Sequence, residues 1–177
     1  MKIEIQNEQH QHILFLDCEY EKNKIRQIAA ILFKKSGQLY ELVGSLNVYI
    51  YERNEQIQSF FADFTAISQE FLRNNGVKLN DAKTQIQYFL KDRDNILIVG
   101  HNINEDITIL KKNGIDLSRW DSYCTWANSK QFELPHYTLQ YLSSLEGWFM
   151  ASPHDAFHDA WALVPIFCKQ KEIKNEN

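Results

Sequence analysis

The chain has 177 residues, of which 44% are apolar and 13% aromatic, which suits one folded unit with a sizeable core and excludes a disordered chain. Its formal charge of −4 excludes a protein that coats duplex nucleic acid by bulk positive charge.

The first ten residues are polar and charged, and no apolar run reaches secretory or membrane-spanning length, so a cytoplasmic protein without membrane contact is expected. Residues 12–18 predict a central strand, with Ile13 and Phe15 on one face and Leu14, Leu16 and Cys18 on the other. Asp17 and Glu19 continue the Ile13/Phe15 face, because side chains in a strand alternate with period two. Residues 25–34 and 38–51 predict two more strands around a turn at Ser36-Gly37, so the chain opens as an antiparallel meander.

From about 57 to 93 the apolar period becomes helical: Ile67, Phe71 and Leu72 mark one segment, Ala82, Ile86, Phe89 and Leu90 another. Asn74-Asn75-Gly76 separates them, with Asn80 or Asp81 as the cap of the second. Ile96 to Gly100 reads as a buried parallel strand, followed by a helix carrying Ile103, Ile107 and Leu110 and stopping at Asn113-Gly114. A short strand at 120–125 and a helix at 138–145 come next. Phe157, Ala160, Trp161, Val164 and Phe167 then predict a final amphipathic helix, kinked by Pro165 near Trp161. The residues after Cys168 read as a fraying polar tail. Cys18, Cys124 and Cys168 are odd in number and far apart, so buried reduced thiols are expected rather than disulfides or structural zinc.

Three short segments carry chemistry: Asp17 with Glu19, Asp106 after Gly100-His101-Asn102, and His154 with Asp159. Taken singly, a solvated strand end explains the first pair, and the helix macrodipole explains an acid in a first turn. Two like charges on one strand face repel unless a cation joins them, however. The carboxyl end of a parallel strand is also where open α/β sheets gather ligands. Five residues of ideal helix set two side chains about 140° apart. His154 and Asp159 therefore converge only if His154 is still loop, Asp155 caps the helix and Asp159 projects from its first turns. That arrangement suits a rigid metal ligand and a movable general base, His154. The competing reading pairs His154 with His158 as zinc ligands four apart, but lacks an adjacent glutamate and a third ligand. His10 and His12 fit a polar strand entry. Trp120, Trp126, Trp148 and Trp161 are candidates for stacking on bases, at least two of them for the core.

Together the segments resemble the DEDDh family of 3′–5′ exonucleases, DnaQ-like and RNase T-like. Asp17 and Glu19 match its first motif, Gly100-His101-Asn102 with Asp106 its second, and His154-Asp155-Ala156-Phe157-His158-Asp159-Ala160 its third. Asp155 stands where the tyrosine branch carries Tyr, which selects the histidine branch. Phe64-Thr65-Ala66-Ile67-Ser68 and Tyr137 to Leu142 extend the similarity between motifs.

The resemblance implies an α/β, RNase H-like fold, a five-stranded mixed sheet flanked by helices. It makes residues 1–177 one exonuclease domain, with a core of about 12–168 and a tail of 169–177. It also implies two divalent cations, Mg²⁺ or Mn²⁺, which would cancel four carboxylates and so reconcile the acidic charge with an anionic substrate. Asp17, Glu19 and Asp159 would hold one metal, Asp17 and Asp106 the other, and His154 would deprotonate the nucleophile. The implied partner is a single-stranded DNA or RNA 3′ end, alone or in a nucleic-acid-processing complex, and the product a nucleoside 5′-monophosphate. Tyr20, Ala66, His101 and Asn102 are the implied substrate contacts. Three positions depart from the family: Tyr20-Glu21 where small residues are common, Ala66 where glycine is usual, and Glu105 in place of a frequent Phe. These departures motivate a rival reading as a catalytically weak binding or adaptor module. A phosphodiesterase of very short oligonucleotides is the third.

Overall fold

The computed structural model describes residues 1–53, 55–150, 152 and 154–173. The strands predicted first are present as β2 (His12–Glu21), β3 (Lys24–Ser36) and β4 (Leu39–Tyr49), an antiparallel meander turning at Gly37. β5 (Ile96–Gly100) lies parallel to β2, and β6 (Asp121–Cys124) parallel to β5. A strand not predicted, β1 (Lys2–Glu4), pairs antiparallel with β4. The sheet therefore has six strands, in the order β1-β4-β3-β2-β5-β6, rather than the five expected. Three polar-flanked residues on a sheet edge carry no readable period, which is why β1 escaped notice.

Both faces of the sheet are covered, since β2 and β3 are apolar on both sides. On one face Leu14, Leu16, Ala30 and Leu32 pack with Ala82, Ile86 and Leu90 of α3 (Leu79–Phe89) and with Ile103 and Leu110 of α4 (Ile103–Lys112). On the other, Ile13, Phe15, Ala29, Ile31 and Phe33 pack with Ala156, Ala160, Leu163 and Phe167 of α7 (Ala156–Ile173). Ala29 and Ala160 leave no bulk between strand and helix, so α7 lies close over β2 and β3.

Two helix ends differ from the sequence reading. α3 is not capped by Asn80 or Asp81; the Leu79 N–H donates to Glu52 Oε1 (3.1 Å), a cap supplied from the preceding loop. The final helix does not end at Cys168. It continues through Ile173 because Gln170 is buried, its Nε2 donating to the Thr125 carbonyl (3.0 Å) and Ser129 Oγ (2.7 Å) of α5 (Thr125–Ser129). Nor is α7 one-faced, since Ala162 and Ile166 are also buried, on the side toward α5 and α6 (Leu139–Leu145). Residues 174–177 of the expected tail lie outside the described residues. No helix among the described residues is long and apolar enough to cross a membrane.

Between the meander and α3 lie α1 (Ser59–Thr65) and α2 (Gln69–Asn75). Ala66 ends α1 with φ 59° and ψ 12°, the left-handed conformation that glycine adopts freely and alanine does not. Glu21 and Arg26 are buried together (3.6 Å); Arg26 also pairs with Glu55 (2.7 Å), and Glu21 Oε1 accepts the Gln58 N–H (3.0 Å). Glu21 thus fastens the loop before α1.

The strain at Ala66 makes a stability prediction. Ala66→Gly is expected to raise unfolding free energy by about 0.5–1 kcal/mol, relief of the left-handed cost being partly offset by glycine's unfolded-state entropy. Urea denaturation checks it, and a loss of stability would contradict the strain.

Candidate active site

The pairing of β2 with β5 stops at Phe15↔Val99, two residues before Asp17. Beyond that point the two strands part, and a cleft of roughly 710 Å³ opens between their carboxyl ends. This is the switch point of the sheet, because β2 has an antiparallel neighbour on one side and a parallel one on the other. All five residues singled out from the sequence, Asp17, Glu19, Asp106, His154 and Asp159, line it.

Each is delivered by a different local device. Asp17 lies on the α7 face of β2, and a register shift between Glu19 and Tyr20 marks an irregularity in the ladder, after which pairing with β3 resumes at Tyr20↔Ile25. Asn102, at φ 61° and ψ 36°, turns the chain sharply after β5, so α4 starts at once and Asp106 comes back to the strand ends. Asn tolerates that conformation better than most residues. There the backbone N–H of Cys18 faces the Asp106 carboxylate. On the third side His154 is in a turn at φ 63°, and Asp155 caps α7, its Oδ1 accepting from Phe157 N (3.0 Å) and His158 N (3.2 Å). Asp159 then projects from the first turn of the helix while His154 comes in from outside it, as the helix geometry required. The start of α7 is also pinned from the sheet. Buried Gln27 on β3 accepts the Ala156 N–H (3.1 Å) and donates to Asn47 Oδ1 (3.0 Å).

The tightest grouping is Glu19, His154 and Asp159, whose ligand atoms lie within 4.8 Å of one another. Asp17 and Asp106 face the same space and interact with them through charge. Burial, then the neighbouring carboxylates Asp106, Asp159 and Glu19, push Asp17 well above the usual carboxylate range. Burial and the charges of Asp159, Asp106 and Asp155 take Glu19 up to about 8. Asp106 and Asp159 are raised to about 7, chiefly by burial, against backbone N–H groups that favour their ionised forms. Asp159 Oδ1 is buried with no hydrogen-bond partner among the described residues. Among the described residues no Lys or Arg lines the cleft. Such a set asks for positive charge from outside the chain, and its oxygen-rich donors suit Mg²⁺ or Mn²⁺ better than softer metals.

The remaining cleft residues divide by what they touch. The Tyr20 hydroxyl donates to Glu105 Oε2 (3.0 Å), so two of the three departures from the family pattern pair at the rim. His101 is held neutral by burial, which lowers its pKa to about 4. Its Nδ1 bonds Thr125 Oγ1 (3.0 Å) and its ring faces the Tyr137 backbone, so it fastens β5 to α5 and to the loop before α6. Asn102 lines the cleft; Ala66 is not among its lining residues. His158 lies near Asp155 (3.7 Å) and does not join the Glu19, His154, Asp159 group, which disfavours the two-histidine zinc reading.

Phe64, Trp126, His136, Tyr137 and Gln27 contribute to the site in ways the sequence did not assign. Phe64 stacks on His154, ring centroids 3.7 Å apart at 28°. Trp126, singled out only as one of four tryptophans, lines the cleft with His136 and Tyr137 on the wall opposite. Gln27 shapes the site without entering it. Gln27, like Arg26, is a polar residue inside an otherwise apolar strand, a signal that does not show which helix it will bond.

Residues 10–167 match the family described as Exonuclease, of RNase T type. No curated protein sequence matches. Among solved structures, E. coli exonuclease I in complex with a dA16 oligonucleotide superimposes with a TM-score of 0.73 at 18% identity. That match covers 93% of this chain and 42% of the exonuclease I chain, so the present sequence spans about two fifths of its length. The nuclease domain of 3′hExo, a DEDDh family member bound to rAMP, superimposes at 0.67 with 15% identity, covering 94% of this chain and 93% of that one. A 3′-exonuclease recognising the 3′ end of a histone mRNA stem-loop gives 0.66 at 16%, covering 96% and 84%.

Two predictions follow from the charge and the scaffold. In EDTA the folded protein holds protons on these carboxylates that the unfolded chain has released, so their contribution to stability is lost as pH rises from about 4 through 7–8. Asp17→Asn should therefore raise the metal-free thermal midpoint at pH 8 by at least about 2 °C, with little effect at pH 5, and Mn²⁺ should stabilise wild type more than the variant. Equal midpoints at pH 8 would refute it. Gln27→Ala, by orphaning the Ala156 N–H and Asn47, should cost about 1–3 kcal/mol in denaturant titrations.

Proposed function

The chain belongs to the RNase T-type exonuclease family and carries its DEDDh set, and on that premise we propose that this nuclease removes nucleotides from single-stranded 3′ ends. One observation carries the reading: four carboxylates and a neutral histidine share one cleft, with Glu19, His154 and Asp159 within 4.8 Å. The oligonucleotide, rAMP and stem-loop complexes of its structural neighbours support a nucleic-acid substrate.

Asp17, Glu19 and Asp159 would hold one divalent cation, and Asp17 with Asp106 a second. Bound there, the cations neutralise the carboxylates and polarise the phosphodiester. The side chains do the rest. His154 is depressed below the ordinary histidine value by burial, so it is unprotonated at neutral pH and able to take the proton of the attacking water. Phe64 stacks on its ring and fixes the imidazole plane. Asp155 and Gln27 hold the first turn of α7, and with it the spacing of His154 and Asp159. Water oxygen attacks phosphorus, the bond from phosphorus to the upstream 3′ oxygen breaks, that oxygen keeps the electron pair and takes a proton from solvent to become the new 3′-hydroxyl, and a nucleoside 5′-monophosphate leaves.

Single-stranded oligonucleotides with free or blocked 3′ ends, incubated with Mg²⁺, Mn²⁺ or EDTA, provide the test. Wild type should release nucleoside 5′-monophosphates from free ends only, and Asp17→Asn should abolish release. His154→Ala should lower kcat by about 10²–10⁴-fold, the usual weight of a positioned base. Nucleoside 3′-monophosphates as product, or equal turnover by Asp17→Asn, would overturn the proposal.

A further inference from the structure

The cleft is far larger than its carboxylate cluster. It runs past His101 to a second wall made by Trp126, Pro135, His136 and Tyr137. Trp126 is 37% exposed, although a large aromatic side chain ordinarily gains by burial. Its mounting is rigid. Thr125, on one side, is fully buried and bonds the Gly100 carbonyl (3.2 Å) and His101 Nδ1 (3.0 Å). Ser129, a turn later, is buried and donates to the Thr125 carbonyl (2.8 Å), while Gln170 from α7 bonds both. α5 is thus clamped from two sides and presents the indole to the cleft. Lys130, four residues on, sets its ammonium 3.3 Å from the indole centroid, covering one face of the ring and leaving the other to a ligand.

The charge pattern decides what that ligand is. A strand held by its phosphates needs several cations along its path, yet no Lys or Arg lines the cleft among the described residues. Lys130 is the cation beside it, and five acidic side chains, Asp17, Glu19, Glu105, Asp106 and Asp159, line the same space. Any metals act at one phosphodiester only. Affinity for the rest of a strand must come from its bases, and each base has a face that an aromatic ring can stack on.

Resting on the exonuclease reading above, we propose that Trp126, backed by Lys130, is a stacking subsite for one unpaired base. Base stacking, rather than phosphate neutralisation, then supplies the cleft's grip on the strand. A base inside a duplex is stacked on both faces by its neighbours and has none to offer, so the subsite favours strands whose bases can leave the stack.

The test is a binding measurement, kept apart from turnover. Anisotropy of 5′-labelled ten-nucleotide strands, DNA and RNA, is followed in Ca²⁺ with one abasic unit moved through the last four positions. At one position, base removal should weaken wild-type binding about tenfold, within the range for one stacked base. That penalty should vanish in Trp126→Ala and largely persist in Trp126→Phe. Between 50 and 200 mM salt, the slope of log K against log[salt] should be shallower than about −2, equivalent to fewer than about three single-strand phosphate contacts. An abasic penalty at no position, a penalty unchanged in Trp126→Ala, or a slope steeper than about −2 overturns the subsite. A protein that shows the Trp126-dependent penalty but hydrolyses no 3′ end keeps it, and loses only the exonuclease reading.

Discussion

Asp17, Glu19, Asp106 and Asp159 are brought into one cleft that, among the described residues, no Lys or Arg lines, and much of the architecture serves to hold them there. Asp17 and Glu19 come from the central strand, Asp106 from the helix after the parallel strand, and Asp159 from the last helix. Each is raised above its ordinary pKa by burial and, to differing degrees, by neighbouring acids. Left alone, such a group stays partly protonated; supplied with divalent cations, it becomes a site where an anionic substrate meets positive charge. The formal charge of −4, awkward for a nucleic-acid enzyme, would be offset in this cleft wherever divalent cations bind its carboxylates.

Holding mutually repelling groups demands a stiff frame, and the stiffness comes from packing close to the sheet. Alanines at 29, 156 and 160 let α7 approach β2 and β3 closely. Its first turn is held by Gln27 from the sheet and by Asp155 from its own sequence, so the turn carrying His154 and the turn carrying Asp159 cannot drift independently. On the opposite wall, His101, Thr125, Ser129 and Gln170 form one hydrogen-bonded set that joins β5, α5 and α7. The same helix therefore positions Asp159 at one end and the mounting of Trp126 at the other.

Departures from the family pattern have local answers. Glu21 is consumed by Arg26 and the Gln58 amide, a structural role away from the cleft. Tyr20 and Glu105 meet each other at the rim, which leaves the fifth acidic side chain of the cleft tethered by a hydroxyl. Ala66 adopts the left-handed turn that glycine would make without strain.

The sequence by itself pointed to the elements whose signals are local: strands apolar on both faces at 12–18 and 96–100, a helical period through Ala82, Ile86, Phe89 and Leu90 and another through Ile103, Ile107 and Leu110, and five residues that line one cleft, joined by their order and by the family resemblance. It also determined that His154 and Asp159 could meet only across a helix start, because a helix rotates by about 100° per residue. Tertiary structure decided the rest. The edge strand β1, the Glu52 cap on α3, the Gln27 bond to a residue 129 positions away, the Phe64 stack on His154 and the placing of Trp126 all depend on contacts between segments distant in sequence. Periodicity reports which way a residue faces relative to its neighbours in one element. It carries no information on which side chain of another element will stand opposite, and that is fixed only when β2 and β5 part and the helices close over the opening.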